Sequence, residues 1–262
     1  MIPEMDFLEK ALQSEQIGIY AEYPLVMNHT PDGGIPPLHI LYEDNHFLLV
    51  NKPAGVLAQG DKTGDPSIAD IAKAHIAARD KKPGNVFMGI PHRLDRPTSG
   101  VIVLAKTGKA LSRMTALFRD GPVKKVYWCI LDTSPPQESG TLEHYLVRNS
   151  KKNKSFVSAP DDKRAKKAVL HYKIIASSDN YYLAEVVLET GRHHQIRAQF
   201  AAIGCRIKGD LKYGAKRSNP GGGICLHARQ ITFEHPVKKE ELAVTAPVPD
   251  DTLWNFFLDA LE

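Results

Sequence analysis

The sequence has only three cysteines, Cys129, Cys205 and Cys225, and no two of them are closely spaced. An odd number at wide spacing argues against a disulfide framework and fits a reducing compartment. No apolar run approaches the ~20 residues that a membrane-spanning helix needs. The start, Met1 to Asp6, is acidic where a signal peptide is basic. We therefore expect a cytoplasmic protein without a membrane segment.

The sequence also lacks the spacing of known metal-binding motifs. His193 and His194 are adjacent, and Cys225 and His227 do not complete a zinc-finger or metalloprotease pattern. Residues 107–109 resemble part of a phosphate-binding loop but lack its leading glycines, so Thr107 is interpreted as a helix cap. We expect no metal site.

Charge is unevenly distributed, although the net charge of the 262 residues is only +4. Residues 1–50 hold eight acidic residues and one lysine, whereas residues 148–173 hold nine basic residues and two aspartates. The basic segment has two interpretations, a solvated loop or a surface that binds phosphates.

Alternating apolar and polar residues predict more strands than helices. The predicted strands are 38–42, 47–50, 101–105, 125–131, 142–147, 169–176, 182–188 and 224–227. The predicted helices are 67–79, after a capping box at Ser67, and 108–118, 195–203 and 253–261. Because the two kinds of element do not alternate strictly, the sequence indicates an α+β fold with a mainly antiparallel sheet.

The first 37 residues are interpreted as an acidic N-terminal extension. Residues 4–13 could form a short amphipathic helix, and residues 28–37 are rich in Pro, Gly and Asp, as linkers and ordered loops are. The structured domain is predicted to cover residues 38–262.

The segment from His92 to Gly100 concentrates polar and charged side chains directly before the apolar run 101–105. Asp95 lies between Arg93 and Arg96, two cations that favour the ionised form of a carboxyl group. The pattern suits an anionic nucleophile that works beside a phosphate backbone. A turn acid before Pro97 is the alternative interpretation.

Four segments in order resemble the RluA-like family of RNA pseudouridine synthases. They are 41–55 (LYEDN to NKPAG), 92–100 (HRLDRPTSG), 124–127 (KKVY) and 190–197 (TGRHHQIR) with Gly209-Asp210 after it. The resemblance implies the pseudouridine synthase fold, a bent mixed sheet with flanking helices and a central cleft, and makes 38–262 the catalytic domain. It also implies isomerisation of uridine in structured ribosomal or transfer RNA, without a cofactor.

The resemblance assigns roles to individual residues. Asp95 would act on the sugar, by attack at the anomeric carbon or by removal of a ribose proton, and Arg197 would pair with it. Tyr127 would stack on the target base, and Arg93 would fill the gap that the flipped base leaves. The alternatives are a surface arginine for Arg197 and a core tyrosine for Tyr127. His92 is expected to be structural, and Thr98 and Ser99 to fix the turn.

Further RNA contacts are expected around this site. The candidates are Arg96, Arg192, His194, Gln195, Lys166 and Lys167. Pro97 and Gln199 depart from the commonest family pattern, which leaves the choice of RNA open. A monomer is expected. Two rival hypotheses are a non-catalytic RNA-binding assembly factor on the same fold and a hydrolase that uses Asp95 with His92 or His194.

Overall fold

The computed structural model describes residues 38–81 and 84–262, so both predictions for the N-terminal extension lie outside the described residues. Within these ranges ten strands form one sheet in the order β1-β2-β3-β9-β4-β8-β7-β5-β6, with β10 paired to β9. The strands are β1 (Ile40–Glu43), β2 (Phe47–Lys52), β3 (Ser99–Ala105), β4 (Lys124–Leu131), β5 (Ser139–Asn149), β6 (Lys154–Ser158), β7 (Lys166–Ser177), β8 (Tyr182–Leu188), β9 (Leu226–Glu234) and β10 (Glu241–Thr245).

Four α-helices of the described residues flank this open sheet: α1 (Ile68–Arg79), α2 (Gly108–Asp120), α3 (Gln195–Ala202) and α4 (Thr252–Asp259). Ser67 and Asp70 form the predicted capping box of α1, and the Thr107 hydroxyl accepts the Ala110 amide at the start of α2. None of the described helices is both long and apolar enough to cross a membrane. The predicted α+β class and mainly antiparallel sheet are confirmed.

The core is divided into two main hydrophobic clusters. The first packs β2 and β3 against α1 and α2, and the second packs β4 and β8 against α3 and α4. Between them, β3 and β9 form the one parallel strand pair in the described sheet, through Ser99 with His227 and Gly100 with Ala228. Asp95 lies on the loop that leads into this junction.

The basic segment 148–173 contains regular strands, which neither interpretation of its charge predicted. Its first part forms the β5–β6 hairpin, with Arg148 paired to Ser155, and its last part enters β7. The prediction of strand 142–147 was correct but too short, and β6 and β10 were missed.

Candidate active site

The Asp95 loop is anchored by hydrogen bonds from the buried end of β2. Lys52 has no exposed surface, and its Nζ donates to the carbonyl oxygens of Pro53 (2.9 Å), Val56 (2.9 Å) and Arg96 (3.3 Å). The Gly55 amide donates to the same Arg96 carbonyl at 2.8 Å. Burial lowers the pKa of Lys52 to about 7, and the charge of Asp95 opposes this shift. The residue after Asp95 is therefore fixed by two donors.

Arg197, on the first turn of α3, is the cation that contacts Asp95. Its side chain is 4% exposed, and its guanidinium holds Asp210 bidentately, from Nε at 2.6 Å and Nη2 at 2.8 Å. Nη1 donates to Oδ2 of Asp95 at 3.0 Å. Burial opposes the charge of Arg197, but the hydrogen bonds and charges of Asp210 and Asp95 outweigh it and raise its pKa. Asp210 thus orients the arginine that meets Asp95.

The two arginines beside Asp95 in sequence have other surroundings. Arg96 is exposed and pairs with Asp65 at 2.8 Å, and its Nε donates to the Gly55 carbonyl. Arg93 is exposed. Among the described residues, the donor at hydrogen-bond distance from Asp95 is Arg197, 102 positions away in the chain, which is the arginine that the family resemblance pairs with it.

His194 lies next to the same carboxylate. It is 8% exposed, its Nε2 is 3.5 Å from Oδ2 of Asp95, and its Nδ1 is 3.0 Å from the Tyr213 hydroxyl. Burial and the charge of Arg197 lower its pKa to about 2, so the imidazole is neutral. In this position it lies beside Asp95 in the protein interior and has little surface to offer RNA.

Tyr127, on β4, packs against both hydrophobic clusters. It pairs with Val186 on β8 and with Ala228 on β9. Burial and the charge of Asp95 raise the pKa of its phenol, which makes the hydroxyl a poor base at neutral pH. A stacking role fits this environment better than proton transfer.

His92 has the structural environment expected for it. Its Nε2 accepts the Val103 amide at 2.9 Å, its ring stacks on Phe118 at 4.2 Å, and burial lowers its pKa to about 3. The expectation for Ser99 was wrong, since its hydroxyl contacts Nδ1 of His227 at 2.8 Å rather than the turn. The Thr98 amide does close the turn on the Asp95 carbonyl, while its hydroxyl has no hydrogen-bond partner among the described residues.

The remaining candidates divide into exposed and buried groups. Arg192, Lys166 and Lys167 are exposed around the start of β7, where Arg192 Nε donates to the Lys167 carbonyl at 2.9 Å. Gln195 is 3% exposed. Its side-chain oxygen accepts hydrogen bonds from the Thr190 hydroxyl and the Arg192 amide, and its side-chain nitrogen donates to the Val169 carbonyl. Gln195 therefore braces the loop before α3 from within.

Sequence reasoning missed three residues of this site: Lys52, Asp210 and Tyr213. The position of Lys52 at the end of an apolar strand could have identified it. A lysine there is expected to be buried, and a buried lysine almost always has a partner. Asp210 follows the last motif, but its contact with Arg197 spans 13 positions and depends on the turn after α3. For Tyr213 the sequence contained no signal of a functional role, apart from its position shortly after Asp210.

Cysteine and metal chemistry have no organised centre in the described part of the chain. Cys129, Cys205 and Cys225 are buried free thiols, and burial raises the pKa of each. Within residues 38–81 and 84–262, no three His, Cys, Asp or Glu side chains are grouped to hold a metal ion.

Residues 46–202, more than half of the chain, match the family profile described as RNA pseudouridylate synthase. A relative from Zymomonas mobilis, named ribosomal large subunit pseudouridine synthase D, is 35% identical over 82% of this chain and 70% of its own length. The protein of the same name from Vibrio cholerae is 32% identical over 82% of this chain and 68% of its own length.

A solved structure confirms the fold. Human RNA pseudouridylate synthase domain containing 4 superposes with a TM-score of 0.70 at 26% identity, over 85% of this chain and 92% of that one. The matched region contains the Asp95 loop, β4 with Tyr127 and the first turn of α3 with Arg197. The chain therefore belongs to the RluA-like family of RNA pseudouridine synthases, which are isomerases.

Proposed function

We propose that this protein isomerises uridine to pseudouridine in ribosomal RNA, with transfer RNA as the alternative substrate. The names of its relatives support ribosomal RNA. The observation that carries the proposal is the Asp95 carboxylate, about a quarter exposed and held on one oxygen by Arg197. Residues 38–262 form the catalytic domain in this proposal, and the protein acts as a monomer.

The reaction breaks the bond from N1 of uracil to C1′ of the ribose and joins C5 to the same C1′. C5 loses a proton and N1 gains one, so the composition of the nucleoside is unchanged. It involves no net redox change, so it requires no redox cofactor. Asp95 acts on the sugar, by attack at C1′ or by removal of a ribose proton. Arg197 fixes the position of the carboxylate, because its guanidinium is already oriented by Asp210.

The free oxygen of Asp95 is the one that reacts. Arg197 Nη1 lies 3.0 Å and His194 Nε2 lies 3.5 Å from Oδ2, whereas Oδ1 has no hydrogen bond from the described residues. A carboxylate anchored on one oxygen presents the other to the substrate. Tyr127 stacks on the flipped uracil, since its raised phenol pKa disfavours a role as a base.

RNA contacts come from the basic residues around the site. The exposed Arg93 is two positions from Asp95 and enters the stack where the target base leaves. Phosphates are contacted by the exposed side chains of Arg96, Arg192, Lys166 and Lys167. The hydrolase alternative loses support because His92 is bonded to the Val103 backbone and stacked on Phe118.

The test uses RNA labelled with tritium at C5 of uracil, incubated with wild type, Asp95→Asn and the control Asp161→Asn. Asp161 is an exposed carboxyl on a turn between β6 and β7. We expect tritium release from wild type and control and none from Asp95→Asn, with the site then mapped by carbodiimide-stopped primer extension. Absence of release from folded wild type with both ribosomal and transfer RNA contradicts the proposal.

A further inference from the structure

We propose that His194 positions Asp95 through an Nε2–H donor and that the Tyr213 hydroxyl selects this tautomer. The inference rests on the proposed function, because it concerns the carboxylate assigned to the sugar. Two groups converge on Oδ2 of Asp95: Nη1 of Arg197 at 3.0 Å and Nε2 of His194 at 3.5 Å. A single donor leaves a carboxylate free to rotate about the bond that joins it to the rest of the side chain, and a second donor on the same oxygen restricts that rotation.

Only one ring nitrogen of His194 can carry a proton, since burial and Arg197 keep the imidazole neutral. A proton on Nδ1 would leave the Nε2 lone pair facing the carboxylate oxygen of Asp95, an unfavourable contact. A proton on Nε2 gives Asp95 a donor and leaves Nδ1 to accept from Tyr213 at 3.0 Å. The charge of Asp95 thus favours the Nε2–H form.

The environment of Tyr213 allows its hydroxyl to complete this arrangement. Tyr213 is 7% exposed, and its oxygen accepts the Ser155 amide at 2.9 Å. Its one proton can go to Nδ1 of His194 at 3.0 Å or to the Ser155 carbonyl at 3.1 Å. Donation to Nδ1 is compatible with a donor on Nε2, whereas donation to Ser155 leaves Nδ1 without a donor and favours a proton on Nδ1, against the preference set by Asp95. The hydroxyl therefore controls whether Asp95 has its second donor.

The backbone of His194 gives a way to separate this role from a structural one. His194 has φ 54° and ψ 28°, in the left-handed region that asparagine adopts far more readily than glutamine. Glutamine, however, can place its amide nitrogen near the position of Nε2, whereas the shorter asparagine reaches only the position of Nδ1. The two variants are thus expected to rank in opposite order for stability and for turnover.

The first experiment compares His194→Asn with His194→Gln in the tritium-release assay and in thermal unfolding. We expect His194→Asn to have the higher melting temperature and His194→Gln to have a kcat about tenfold higher than His194→Asn, with similar KM values. If His194→Asn is superior in both measurements, the role of His194 is structural and the proposal is wrong.

The second experiment removes the hydroxyl of Tyr213. Tyr213→Phe is expected to lower kcat about tenfold with little change in KM, since one oriented hydrogen bond is lost. The control is Tyr172→Phe, because Tyr172 is also buried and its hydroxyl donates to the Gln137 carbonyl, outside the site. An equal loss of kcat in both variants contradicts the proposal.

The third measurement does not require RNA. In protein labelled with ¹⁵N-histidine, the His194 signals are identified by their absence in His194→Gln, and their shifts report the tautomer. We expect Nε2–H in wild type and a mixture of tautomers in Tyr213→Phe. Nδ1–H in wild type overturns the proposal. Nε2–H in a protein that is inactive on every RNA leaves the positioning intact and counts against the proposed function alone.

Discussion

Lys52 links the opening hairpin to the Asp95 loop through an ammonium group that has no contact with solvent. Lys52→Met keeps much of the volume but leaves the carbonyls of Pro53, Val56 and Arg96 without this donor. Because Arg96 follows Asp95 directly, we expect the loop to lose order and kcat to fall about tenfold. Lys106→Met is the matched control, since Lys106 is partly exposed and pairs with Glu43 outside the site. An equal loss in both variants would remove Lys52 from this role.

The same lysine predicts a pH dependence of stability. Its pKa is about 7 in the folded protein and 10.5 as the reference value for the unfolded chain. Between these pH values the unfolded chain binds more protons, so this group makes the free energy of unfolding rise as pH increases from 7 toward 10.5. Melting temperatures at pH 7, 8 and 9 should rise more steeply for wild type than for Lys52→Met. Parallel curves would show that Lys52 is not the titrating group.

At the scale of elements, the junction of β3 and β9 depends on Gly100. Its φ is 116°, and a Cβ there would lie 2.3 Å from the Ala228 carbonyl oxygen. Gly100→Ala therefore requires the two strands to separate, and we expect a loss of about 3 kcal/mol or more in the free energy of unfolding. Activity should fall in the variant even where it stays folded, because Asp95 lies at the start of this junction.

Gly108→Ala is the control for Gly100→Ala. Gly108 begins α2, and a Cβ there would have no neighbour within 4 Å. Its free energy of unfolding should stay within about 1 kcal/mol of wild type or increase slightly, because alanine favours a helix. Urea unfolding measures both variants. A similar small change in each would mean that β3 and β9 can adjust to a side chain.

The elements that could be predicted from sequence are those with a regular apolar pattern or a cap. β8 and the start of α1 follow such signals and were predicted within one residue. β6 was missed because its lysine and serines resemble a loop, and it is stabilised by pairing with β5 and by the Tyr213 hydroxyl. Strands of this kind form through partners distant in sequence, which local patterns do not contain.

The candidate site could be predicted only in part for the same reason. Asp95, Tyr127 and Arg197 were identified by resemblance, and their surroundings were not. The choice of Arg197 over Arg93 as the partner of Asp95 depends on the docking of α3 against the loop. The fixed orientation of Arg197 depends in turn on Asp210, which reaches it through the turn after α3.

At the scale of the whole molecule, the basic residues around β7 predict salt-dependent RNA binding. The affinity should fall as salt increases, because phosphate contacts release counterions. Lys166→Gln should weaken binding and reduce the slope of log K against log salt by about one. Lys239→Gln, at an exposed lysine paired with Glu234 near β10, is the control and should keep the wild-type slope. Filter binding from low to high salt measures both, and a flat wild-type curve contradicts the phosphate surface.

The proposed catalytic domain predicts the effect of a truncation. If the catalytic domain covers residues 38–262, as proposed, a protein that begins at residue 38 should keep its tritium release within about threefold and its melting temperature within about 4 °C, roughly 1 kcal/mol or less. Loss of activity with unchanged melting temperature would show that the acidic segment takes part in RNA binding. Loss of both would show that the domain boundary is wrong.

The distance in sequence between Asp95 and Arg197 has a consequence for the time at which the enzyme becomes active. Ribosomes add roughly 5–20 residues per second, so the carboxylate is made roughly 5–20 s before the arginine that pairs with it. Asp95 adjoins the first hydrophobic cluster through Leu94, whereas Arg197 adjoins the second through Ile196. A nascent chain that ends before α3 therefore carries Asp95 without the arginine that pairs with it. Because the first cluster also includes Ala228 and Phe233 of β9, the proposed site is assembled only after synthesis has passed α3, Asp210 and β9.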